Sequence, residues 1–169
     1  MTLEQLLSLD IAGKNVLVIG MAAAGKTWLS EKLVTPNHEL IHTDNIINAG
    51  YTIPQAVYSL FDDVEDCYRR GRKTLIEGIL GYTLLLEGHK YMAYSPDIII
   101  DLTISRGKQR EIYLSDPKRD PEKLKYLERF HRMNLSLFNE WYSICPYNER
   151  AIYLTVENNW NYVTKVKDK

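Results

Sequence analysis

Residues 15–27 read NVLVIGMAAAGKT, from Asn15 to Thr27. The first five residues, Asn15 to Ile19, are mostly apolar and β-branched, the pattern of a strand buried on both faces of a parallel sheet. Gly20 stops the run, four small or flexible residues follow, and Gly25-Lys26-Thr27 closes it. A helix is expected from about residue 25 to 34, ended by Pro36. A loop almost without side chains between a buried strand and a helix lets backbone N–H groups approach an anion closely. The helix N-terminus adds its dipole.

The spacing G-x-x-x-x-G-K-[ST] from Gly20 to Thr27 is the P-loop pattern, with the strand before it and the helix after it that the pattern requires. The residues expected on the nucleotide are Gly20, Ala22, Ala23, Ala24, Gly25, Lys26, Thr27 and Trp28. Lys26 acts as a point charge on the β- and γ-phosphates, and Thr27 offers a hydroxyl to Mg²⁺. The interior Met21-Ala22-Ala23-Ala24 contains no glycine, so this loop is stiffer than a glycine-rich one.

The rest of the chain alternates. Further strands are expected at 39–43, 73–77, 96–102 and 150–155. Helices are expected at 54–70, 104–114 and 121–142, the last two interrupted at Asp116-Pro117. Thr2 and Gln5 form a capping-box pattern for a short first helix. Strands alternating with helices imply βαβ units. The expected fold is therefore α/β: a three-layer P-loop NTPase domain over residues 1–169, with a five-stranded, mainly parallel sheet flanked by helices. A helical, arginine-containing lid is expected near 105–125. The length, 169 residues, suits one core. A net charge of −1 shows no strongly basic surface. Cys67 and Cys145 lack metal-ligand spacing and read as reduced thiols of a cytoplasmic protein. There is no basic leader, and the longest apolar run is too short to span a bilayer.

Two carboxylates fall at expected strand ends. In sheets of this kind, ligands bind outside the carboxyl ends of the strands. Asp44, in IHTDN, would face the P-loop crevice, where it can take a proton from an attacking hydroxyl. The alternative to this preferred reading is a cap for the next helix. Glu77, in TLIEGIL, is placed to hold Mg²⁺ through water or to bind an acceptor hydroxyl. In RGKQREIYLSDPKRD, Arg106 and Arg110 share a helix face and are the first choices for lid groups that neutralise a transferring phosphoryl group. Arg119, Lys125, Arg129 and Arg132 come second. Tyr51, Tyr58 and Tyr82 are candidates for stacking on an acceptor base, and equally for core edge. His42 and His131 read as structural.

GMAAAGKT, TDN, LIEGIL and the arginines after PDIIIDL together resemble the small P-loop kinases of the nucleoside and nucleotide kinase group. Asp101, Arg106 and Arg110 after LIEGIL are similar to the pattern of uridine kinase and phosphoribulokinase-like enzymes. HTDN is similar to the Asp-bearing stretch of polynucleotide 5′-hydroxyl kinases. The resemblance implies ATP and Mg²⁺ as cofactors, Asp44 as base, and lid arginines on phosphates. The acceptor stays open between a nucleoside-like small molecule and DNA, the latter through a 5′-hydroxyl end or a hydroxymethylated pyrimidine. A nucleotide-binding switch is the third reading.

Overall fold

The structure, a computed structural model, describes residues 1, 3–78, 80, 81, 83, 94–144 and 151–158. Tyr82 and Cys145 lie outside the described residues, as does Thr2 of the expected first cap. In chain order the elements are α1 (Leu3–Leu7), β1 (Val16–Gly20), α2 (Lys26–Leu33), β2 (His38–His42) and α3 (Thr43–Asn48). They continue with α4 (Ile53–Arg69), β3 (Lys73–Glu77), β4 (Ile98–Thr103), α5 (Arg106–Ser115), α6 (Lys123–Ile144) and β5 (Ile152–Glu157).

The strands form one sheet in the order β2-β3-β1-β4-β5, and every neighbouring pair is parallel. The expected α/β fold of three layers is thus the one observed. Alternation along β1 explains the layers. Leu17 and Ile19 face one side, with Ile76, Ile99, the α4 residues Val57, Leu60 and Val64, and Phe138 of α6. Val16 and Val18 face the other, with Ile98, Ile100, Leu6 of α1, and Leu29 and Leu33 of α2. Both faces of the sheet are covered by helices, which is why β1 is apolar throughout rather than alternating. Each fully buried aliphatic side chain contributes about 1.5–3 kcal/mol.

Several boundaries differ from those expected. The second strand is one residue earlier than the pattern 39–43, because Thr43 begins α3. The Thr43 hydroxyl accepts from the Leu80 amide at 3.3 Å, a bond across the site that a strand residue would not make. The fifth strand runs two residues later than 150–155. α4 starts with a capping box: the Thr52 hydroxyl accepts from the Gln55 amide and the Gln55 side chain accepts from the Thr52 amide. At the foot of the sheet, the Asn15 amide donates to Asp97 Oδ2 at 2.7 Å, and Asn15 Oδ1 accepts from the Thr74 amide at 3.0 Å. All strands being parallel, their carboxyl ends meet at one edge. The P-loop, the Thr43-Asp44 corner, Glu77, the start of α5 and the end of β5 all lie there.

Candidate active site

The loop after β1 is bent by left-handed residues. Gly25, the residue before α2, has φ 95°, and Ala23 has φ 62°. Such successive turns point backbone N–H groups into one hollow. An alanine in the left-handed region costs about 1–2 kcal/mol. We therefore expect Ala23→Gly to raise the melting temperature by about 1–3 °C, the relief being partly offset by the freer unfolded chain. A scanning calorimetry comparison checks this. An unchanged or lowered melting temperature would mean that the strain is not carried at Ala23.

Lys26 is almost fully buried, and its ammonium folds back over the loop to donate to the Met21 carbonyl at 2.9 Å. Burial is the main influence on its pKa and lowers it. The carboxylates of Glu77 and Asp44 oppose that shift, and the positive charge of Arg119 adds to it. The charges of Asp44, Glu77 and Arg119 thus converge on the P-loop lysine.

Glu77 ends β3, buried to 2 % exposure. Its Oε1 accepts from the Thr27 hydroxyl at 3.1 Å and from His42 Nδ1 at 2.7 Å; a carboxylate only accepts, so the histidine nitrogen carries the hydrogen. Its Oε2 is buried without a hydrogen-bond partner. A buried, unpartnered carboxylate oxygen beside a P-loop threonine is the donor set that Mg²⁺ takes, which needs one or two protein groups and completes its shell with water and phosphate oxygens. Gly78 follows with φ 124°; a side chain there would overlap the Thr43 hydroxyl and crowd Asp44 Oδ1. The glycine therefore lets the β3 end and the α3 corner close on each other. Asp44 is the second residue of α3, whose N-cap is His42. Its carboxylate is therefore not a cap. It is exposed, in the first turn, and close enough to act on Lys26.

The arginines divide. Arg106 and Arg110 do share a face of α5, and that face meets Glu128 of α6. Arg110 makes a two-pronged contact through Nε (2.9 Å) and Nη2 (3.1 Å), and Arg106 donates through Nη2 at 3.1 Å. The Glu128 carboxylate is buried, and the hydrogen bonds from Arg110 and then Arg106 hold it below the usual carboxylate range. Arg119, in the turn after α5, lies over the Tyr113 ring at 5.0 Å and donates to Asp116 at 3.1 Å. Its charge acts on Lys26.

Tyr51 and Tyr58 are 49 % and 68 % exposed, Tyr58 on the side of α4 away from the core stripe. Trp28, on α2, is half-buried and packs against the core cluster on that face of the sheet.

Sequence reading took both histidines as structural and gave neither a partner. His42 orients Glu77, and His131 on α6 lies within electrostatic reach of Lys26. Burial first, and the Lys26 charge second, push the His131 imidazole down from 6.5 to about 4. The unfolded chain then takes up a proton that the fold refuses. Stability is unaffected above about pH 6.5 and falls as pH drops from there toward 4, by at most ~1.4 kcal/mol per pH unit before solvent screening. In urea melts, we expect His131→Gln to lose about 1 kcal/mol less than the wild type between pH 7 and 5. Equal losses would place the acid sensitivity elsewhere.

No family profile matches the sequence, and no curated protein matches it. Among solved structures, the chain is similar to thymidylate kinase from Candida albicans, with TM-score 0.52, 15% identity, and 87% of this chain and 85% of that one covered. Deoxyadenosine kinase from M. mycoides gives TM-score 0.49 and 13% identity over 90% and 95%. No helix among the described residues is long and apolar enough to cross a membrane. The likeness to thymidylate kinase is one of fold: over most of its length this chain shares the three-layer α/β architecture of that protein.

Proposed function

We propose that the chain is an ATP-dependent phosphotransferase that moves the γ-phosphate to a hydroxyl of a nucleoside-like small molecule. The observation that carries this reading is the meeting of Lys26, Thr27, Glu77 and Asp44 at the carboxyl ends of β1, β2 and β3. A phosphate cradle alone binds a nucleotide. A second, exposed carboxylate facing the same lysine adds a base for an acceptor hydroxyl. In this reading Gly20, Ala22, Ala23, Ala24, Gly25 and Trp28 form the nucleotide side. Lys26 leaves the Met21 carbonyl for the β- and γ-phosphate oxygens. Thr27 and Glu77 hold Mg²⁺, which when bound neutralises phosphate charge. Asp44 accepts the acceptor's proton.

Positive charge over the transferring group comes first from Arg119. Arg106 and Arg110 contribute through the N–H groups that Glu128 leaves unused. Tyr51 and Tyr58 are the aromatic surface toward the acceptor. The resemblance to uridine kinase and the nucleotide named as acceptor for the Candida enzyme both support a nucleoside-like substrate. A polynucleotide acceptor is less favoured. The net charge of −1 offers no broad basic surface for a phosphate backbone.

The test is transfer of label from γ-labelled ATP to a pooled panel of nucleosides, nucleoside monophosphates, 5′-hydroxyl oligonucleotides and DNA with hydroxymethylated pyrimidines. Label on a nucleoside or nucleotide is the expected result. Label on DNA alone would replace the acceptor, and free phosphate alone would favour a nucleotide-hydrolysing switch.

A further inference from the structure

The end of β5 carries a buried amide that the reading above does not use. Asn158 is 1 % exposed. Its Nδ2 donates to the carbonyl of Ala24, inside the P-loop, at 2.7 Å. Its backbone amide donates to the Thr103 carbonyl at the end of β4, also at 2.7 Å. Its own carbonyl accepts from Lys108 of α5 at 3.3 Å. One residue therefore joins the P-loop, the end of β4 and the lid helix. Its Oδ1 is buried without a hydrogen-bond partner. An unpaired buried oxygen is unfavourable, so the amide is retained here for its donor, which the Ala24 carbonyl requires.

We propose that Asn158 is a positioning residue that sets the P-loop for nucleotide binding by holding the Ala24 carbonyl. This inference rests on the nucleotide-binding reading given above. The peptide bond is planar and trans, so the C=O of Ala24 and the N–H of Gly25 point in opposite directions. Fixing the carbonyl toward β5 aims the Gly25 N–H away from Asn158, into the hollow where phosphate oxygens would sit. The peptide joins Ala24 to the left-handed Gly25, with a second left-handed residue, Ala23, just before it, and its rotation would turn the Gly25 N–H out of the hollow. The Ala24 side chain is fully buried in the core, so the other end of the same unit is also held.

The test measures the dissociation constant of Mg²⁺-ATP by calorimetry for the wild type, Asn158→Ala and Asn158→Asp, with melting temperatures alongside. KM values for ATP and for an acceptor identified by the panel are measured in the same proteins. Aspartate keeps the shape, loses the donor and places an oxygen against the carbonyl. We expect weakening of ATP binding by about tenfold for alanine and more for aspartate, since a lost hydrogen bond of ordinary strength corresponds to roughly that factor. The acceptor KM should stay within about twofold, because the contact lies on the nucleotide side. Folded variants that bind ATP as the wild type does would overturn the proposal. So would equal weakening for ATP and acceptor, or loss of the fold in both variants, since the bond would then be merely structural. A wild-type chain that binds no nucleotide would instead overturn the functional reading itself, and this inference with it.

Discussion

Lys26→Ala is expected to lower kcat/KM for phosphoryl transfer by about 10³-fold or more while leaving the melting temperature unchanged or slightly raised. The two halves of this expectation have separate causes. The loss of rate follows from removing a buried ammonium that has a loop carbonyl as its resting partner and two carboxylates, Asp44 and Glu77, within electrostatic reach. A fixed charge held on a buried side chain acts strongly on the transferring group. The intact stability follows from the direction of the lysine's own pKa. Burial lowers it, so the folded state holds this charge less comfortably than the unfolded chain does. Deleting the charge removes that cost, and the Met21 carbonyl keeps the Ala24 amide as a donor. Steady-state kinetics beside thermal melts decide the matter. A variant that melts well below the wild type would make its inactivity uninformative. Retention of a tenth of the activity would remove Lys26 from the transfer step.

What could be read in the sequence follows the range of the interactions that decide each feature. β1 and the P-loop are settled by thirteen consecutive residues, 15–27, and the structure has the strand, the turn and the helix in that order. α4 was legible in its apolar stripe, and its start lies in the local Thr52–Gln55 pair. The strand β2 was misplaced by one residue because Thr43 is β-branched and suits either state. Its bond to the Leu80 amide lies 37 residues away and is invisible to a local pattern. The same holds for the site. The spacing of Arg106 and Arg110 put them on one face of α5, as observed, but Glu128, which that face meets, looks in sequence like any surface acid on a helix. His42 gains its meaning from Glu77, 35 residues on, and Asn158 from Ala24, 134 residues back. Arg119 ranked second in sequence because a proline-interrupted turn gives no facing direction; its ring partner Tyr113 and its neighbour Asp116 supply one.

Asp44→Asn and Glu77→Gln should separate two jobs that the sequence assigned only by position. Asp44 is exposed at the second residue of α3 and acts on Lys26, whereas Glu77 is buried and bonded to the Thr27 hydroxyl. If Asp44 takes the proton of the acceptor hydroxyl, Asp44→Asn lowers kcat by about 10²–10⁴-fold, the range typical of a lost general base. The Mg²⁺ concentration for half-maximal rate should then hardly move, since it is the Glu77 carboxylate that accepts from the Thr27 hydroxyl. Glu77→Gln should behave in the opposite way. The glutamine carbonyl can still accept from Thr27 and His42, so the fold around Oε1 is kept. The oxygen left unpartnered at Oε2 becomes an amide nitrogen, which repels a cation instead of holding one. The half-saturating Mg²⁺ should rise by about tenfold or more, and part of the lost rate should return at high Mg²⁺. Titrating Mg²⁺ at fixed ATP in both variants makes the comparison. A rise in the Mg²⁺ requirement of Asp44→Asn with none in Glu77→Gln would exchange the two roles. Equal rises in both would mean that the two carboxylates share the ion, and the acceptor's proton would then need another base. His42 would be the next residue to test, since its Nδ1 already bonds the Glu77 carboxylate.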